Sequence, residues 1–85
     1  MTAVQSMMDI KLAAADVPAR VTFEPIGVVF EITTGDFITV RFDSALASSV
    51  EIYHWSNGIS VWLPYPGESD YVVLDSSDQE MIQLW

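Results

Sequence analysis

From residue 20 to the C-terminus the chain alternates apolar and polar residues with a period of two, and turn-forming residues interrupt the alternation about every ten positions. Few architectures accept that pattern. Successive side chains of a strand point to opposite faces, whereas an amphipathic helix needs a repeat of about 3.6 residues. The pattern predicts strands over 20–24, 27–33, 37–42, 50–55, 59–63, 71–74 and 80–84, filled with Val, Ile, Phe, Tyr, Trp and Thr, residues that suit a pleated, half-buried surface. Pro18, Pro25, Pro64 and Pro66 fall at or beyond the ends of these runs, where a missing N–H breaks no central ladder. The expected fold is all-β and mainly antiparallel, a small β-sandwich or barrel of six to eight strands. Eighty-five residues, 51% of them hydrophobic, can build one core and no second lobe, so 1–85 reads as a single domain with about the first seven residues as candidates for disorder.

The N-terminal segment fits two templates. Val4, Met7, Met8, Leu12 and Ala15 sit at helical spacing, and Ala13 to Ala15 favour a helix. Met8, Ile10 and Leu12 also alternate with Asp9 and Lys11 as in a strand, and in a helix Lys11 would lie on the apolar face. A short strand is preferred, with a helix as the alternative.

Turn chemistry suggests three hairpins. Asn57-Gly58 between two alternating runs is the signature of a two-residue type I′ turn. That register sets Trp55 opposite Ser60, His54 opposite Val61 and Tyr53 opposite Trp62. It gives the ribbon an aliphatic side (Val50, Ile52, His54, Ile59, Val61, Leu63) and an aromatic side (Glu51, Tyr53, Trp55, Trp62). Thr34-Gly35-Asp36 suggests a second hairpin, with an odd loop that opposes Ile32 to Ile38, Phe30 to Val40 and Val28 to Phe42, and brings Glu31 diagonally toward Arg41. Asp75-Ser76-Ser77-Asp78 suggests a third, since Asp and Ser side chains bond readily to local backbone.

Charge narrows the partners. Twelve acids against Lys11, Arg20 and Arg41 leave a net charge of −9, which excludes direct nucleic-acid binding because phosphate contacts need clustered cations. Residues 42–85 hold seven of the acids and no Lys or Arg, and Glu68, Asp70, Asp75, Asp78 and Glu80 crowd into its later part. A field of one sign accelerates encounter with oppositely charged partners, and it also keeps an apolar chain soluble.

Catalytic and metal chemistry find little footing. With no cysteine there is no thiol nucleophile, disulfide or cysteine-ligated zinc, and a single histidine excludes any site that needs two imidazoles. His54 falls on the aliphatic side of its ribbon, which reads as a core histidine. No G-x-S-x-G or glycine-rich phosphate loop occurs, and Asp75, Asp78 and Glu80 lack the spacing and glycine of a calcium loop. No enzyme activity, cofactor or metal is expected. The chain shows no basic n-region, no apolar h-region and no run long enough to span a bilayer, so a cytoplasmic location without membrane contact is expected.

The expected function is that of a non-catalytic acidic interaction domain, of the inhibitor, antitoxin-like or nucleic-acid-mimic class, whose Glu68, Asp70, Asp75, Asp78 and Glu80 meet a basic protein surface. Two alternatives use the aromatic side, Glu51, Tyr53, Trp55 and Trp62: a small-ligand or carbohydrate-binding module, or a structural homodimer. If that side is instead sealed under another element, it is simply a second core.

Overall fold

The computed structural model describes residues 6–64 and 71–84. Among these residues eight strands form in chain order: β1 (Met7–Ala13), β2 (Ala19–Glu24), β3 (Val28–Ile32), β4 (Phe37–Asp43), β5 (Glu51–Trp55), β6 (Gly58–Trp62), β7 (Tyr71–Leu74) and β8 (Glu80–Leu84), with a short 3-10 segment, Ser44–Ser49, before β5. They build two four-stranded sheets, β1-β4-β7-β8 (sheet 1) and β3-β2-β6-β5 (sheet 2). All ladders are antiparallel except β2 with β6, which is parallel. The N-terminal segment is therefore the strand of the two alternatives, and it begins at Met7, inside the stretch read as a candidate for disorder.

The alternation places one side of each sheet in a common core. Val21, Phe23 and Val61 of sheet 2 and Val40, Phe42, Tyr71 and Val73 of sheet 1 are completely buried. Each full burial of such a side chain contributes roughly 1.5–3 kcal/mol. Phe23 meets Phe30 edge to face at 5.8 Å between centroids, and Phe42 lies 5.9 Å from Tyr71. The Tyr71 hydroxyl donates to the Pro64 carbonyl at 2.8 Å, so its polar end is satisfied inside the core.

Strands β3 and β4 do not form the expected hairpin; they belong to different sheets. The 33–36 loop is instead pinned to the β1–β2 connection: Gly35 N–H donates to the Ala14 carbonyl at 2.7 Å, and Ala14 N–H to the Asp36 carbonyl at 3.0 Å. The positive φ of 85° at Gly35 lets the chain make this turn. Ile32, Phe30 and Val28 were expected to face Ile38, Val40 and Phe42 across a ladder. They face the same core from opposite sheets, and period-two alternation is identical in the two arrangements. The expected approach of Glu31 to Arg41 fails for the same reason: Arg20 Nε donates to Glu31 at 2.8 Å, and Arg41 Nε to Asp9 at 2.8 Å.

The third turn forms where expected. Asp75 Oδ1 accepts from the backbone N–H of Ser77 at 2.8 Å and of Gln79 at 3.0 Å. Asp78 takes the left-handed φ of 62°, which its short polar side chain tolerates.

Candidate functional site

The outer side of sheet 2 carries the aromatic residues, and its layout follows from the ladders. Across the four strands, Glu31 neighbours Arg20, Val29 neighbours Thr22, Thr22 neighbours Ser60, and Glu24 neighbours Trp62. On β5, Trp55 faces Gly58, Tyr53 faces Ser60 and Glu51 faces Trp62. Trp62 therefore lies between two carboxylates, Glu24 on one side and Glu51 on the other, with adjacent strands about 4.8 Å apart.

This register corrects the expected one. The turn residues are Ser56 and Asn57, and neither has positive φ, so the turn is not type I′. The reason lies in Gly58: a Cβ there would come 2.5 Å from the Arg20 carbonyl oxygen, so β2 passes too close for any other residue, and the glycine serves the interstrand approach rather than the turn. The pairing slides by one position on each strand. Because both loops have two residues, the division into aromatic and aliphatic sides survives, but Tyr53 faces Ser60 instead of Trp62, and His54 faces Ile59 instead of Val61.

The rings are not sealed in a second core. Tyr53 is 43%, Trp55 54% and Trp62 41% exposed. Tyr53 and Trp55 stand 6.3 Å apart with their planes tilted by 33°. The Tyr53 hydroxyl donates to Glu51 Oε1 at 3.0 Å, which holds that carboxylate in place and, through the same bond, raises the Tyr53 pKa above the ordinary phenol value. The Trp55 indole N–H donates to Ser60 Oγ at 2.9 Å. Trp55 also walls two shallow concavities: one of about 280 Å³ with Arg20, Thr22 and Ser60, the other of about 330 Å³ against the β1–β2 loop.

His54 is not a core histidine; every residue of β5 is exposed. Val61, its expected partner, is completely buried on the same side of the sheet, yet Ile52 beside it remains 49% exposed. Sheet 1 does not reach far enough to cover this border strand, a limit that no local pattern announces.

The late acids are only partly gathered. Asp75, Asp78 and Glu80 occupy the β7–β8 turn and the start of β8, with Asp75 engaged in shaping that turn; Glu68 and Asp70 lie outside the described residues. Among the described residues, no three His, Asp or Glu side chains are placed to hold a metal ion. None of the described helical segments is long and apolar enough to cross a membrane.

All three basic side chains already have partners. Arg41 forms a two-pronged bond with Asp9 at 2.8 and 2.9 Å, Arg20 pairs with Glu31, and Lys11 Nζ lies 4.2 Å over the Phe37 ring. Among the described residues, Glu24 and Glu51 have no ion pair. Sequence reasoning missed Glu24 as part of this surface, because only the parallel β2–β6 pairing brings it beside Trp62. Comparisons with protein-family models, curated proteins and solved structures find no match, so the site is read from its own residues.

Proposed function

We propose that the protein is a non-catalytic interaction domain that binds a basic protein surface through the outer side of sheet 2. The observation that carries this reading is Trp62 flanked by Glu24 and Glu51, beside the exposed rings of Tyr53 and Trp55. A Lys or Arg placed over such a ring gains cation–π attraction, and flanking carboxylates strengthen it. The chain uses the same chemistry internally where Lys11 covers Phe37. Its own cations are engaged and its net charge is −9, so the counter-charge open to these carboxylates is an external one. The acids at Asp75, Asp78 and Glu80, with Glu68 and Asp70, act at longer range, drawing a cationic partner in before the rings engage it. Occlusion of a basic surface is how an inhibitor, an antitoxin or a nucleic-acid mimic would act.

The reading is tested by titrating the protein with a lysine-rich peptide while following tryptophan fluorescence at several ionic strengths. Binding that perturbs the indoles and weakens as salt rises supports it. A response to neutral oligosaccharides alone would replace it with carbohydrate binding, and salt-independent self-association through the rings would replace it with a homodimer.

A further inference from the structure

We infer that β5 is an open pairing edge that accepts an extended basic segment of the partner as an added strand, an inference that rests on the functional reading above. Among the described residues four strands border the two sheets, and β1 and β8 are guarded. β1 carries Asp9 and Lys11 in its middle, and β8 has an extra residue, Met81, between the partners of Val73 and Leu74, whereas the one carboxylate of β3, Glu31, is already neutralised by Arg20 and so holds no charge in reserve for a basic segment. β5 runs in unbroken register from Glu51 to Trp55, with no proline, glycine or lysine. It is also the one described strand without a buried residue among those whose side chains are described.

The two-residue turn makes Trp55 and Gly58 a hydrogen-bonded pair, and alternation along the ladder makes Tyr53–Ser60 and Glu51–Trp62 pairs of the same kind. The main-chain N–H and C=O groups of Ile52 and His54 consequently point away from β6, toward any strand laid alongside. An added strand would send alternate side chains to the two sides of sheet 2. On the core side they would cover Ile52 and continue the apolar layer beyond Val61. On the outer side they would meet Tyr53, Trp55 and the Glu51 carboxylate, where cations are favoured. The matching occupant alternates apolar and basic residues. A second copy of this chain is disfavoured, since it would bring a further net charge of −9 and another Glu51 carboxylate without an ion pair to the same edge.

The test uses a peptide of alternating valine and lysine and a counterpart of the same sequence N-methylated at every peptide bond, which keeps the charges and removes the donors. The parent peptide is expected to bind, to slow amide exchange at Ile52 and His54 by at least about tenfold, and to lose at least about tenfold in affinity on N-methylation. Equal binding of both peptides, with the two amides unchanged and the Trp55 and Trp62 indoles shifted, overturns the edge inference and leaves the functional reading standing. No binding of either peptide overturns both. Protection of the same two amides without peptide, at the mass of two 9.5 kDa chains, overturns the choice of occupant in favour of a second copy.

Discussion

Glu51 lies directly across the β5–β6 ladder from Trp62, and its carboxylate accepts the Tyr53 hydroxyl at 3.0 Å. One acid is thus held by a neighbouring phenol and set beside an exposed indole. The pair joins the charge and the apolar area of this face in a single feature.

The first prediction separates binding from stability. Trp55→Ala removes a side chain that is 54% exposed, and its stability cost is expected to stay under about 1 kcal/mol. Affinity for a basic peptide should fall by roughly 2 kcal/mol, about thirtyfold. Phe23→Ala, by contrast, opens a cavity at a fully buried position and should cost about 3–5 kcal/mol. Urea titration and peptide binding measured on both variants check the contrast.

Gly58→Ala is expected to be the most damaging small change on the outer side. Its Cβ would stand 2.5 Å from a backbone oxygen of β2, which can retreat only by loosening the β2–β6 ladder. A loss of roughly 2–3 kcal/mol should appear in thermal or urea unfolding. An unchanged midpoint would contradict the close approach.

A third prediction concerns acid. The hydrogen bond from Arg41 holds the Asp9 carboxyl below its ordinary value of 3.8. A depressed folded-state pKa contributes stability that is present above the unfolded value and is lost as pH falls through the folded one. Asp9→Asn should therefore flatten the dependence of stability on pH below about 4, leaving neutral pH little changed because the pair is exposed. An unaltered acid limb in the variant would show that the bridge is not populated in solution.

A fourth concerns alkali. Tyr53 is raised above 10.0 chiefly by its bond to Glu51, and Tyr71 by burial. Both contribute stability that is intact below the unfolded phenol value and lost as pH rises through the folded ones. Glu51→Gln should bring the Tyr53 titration, followed by its ring resonances, back toward 10.0 while Tyr71 stays raised. Tyr53 titrating identically in both proteins would remove the hydrogen bond from the account.

The contrast between the two central turns shows which parts of this structure the sequence discloses. Strand positions were legible because alternation and proline placement act locally, and the aromatic and aliphatic sides of the β5–β6 ribbon survived a wrong register because side-chain direction depends only on parity. The β3–β4 crossover was not legible, because Phe30 and Val40 reach the same core either across a ladder or across a sandwich. Glu24 was not legible as a neighbour of Trp62, since a parallel pairing between strands far apart in the chain leaves no turn signal. The exposure of Ile52 and His54 depends on how far sheet 1 extends, a property of the assembled sandwich.

Binding of a basic partner at the outer side of sheet 2 is measured by following the indole N–H resonances of Trp55 and Trp62 while a lysine-rich peptide is added at low and at high ionic strength. Both resonances are expected to shift, the shifts to shrink as salt rises, and a Glu24→Gln, Glu51→Gln double variant to respond weakly. Unmoved indoles, with the peptide perturbing only the Asp75–Asp78 turn or nothing at all, would contradict it.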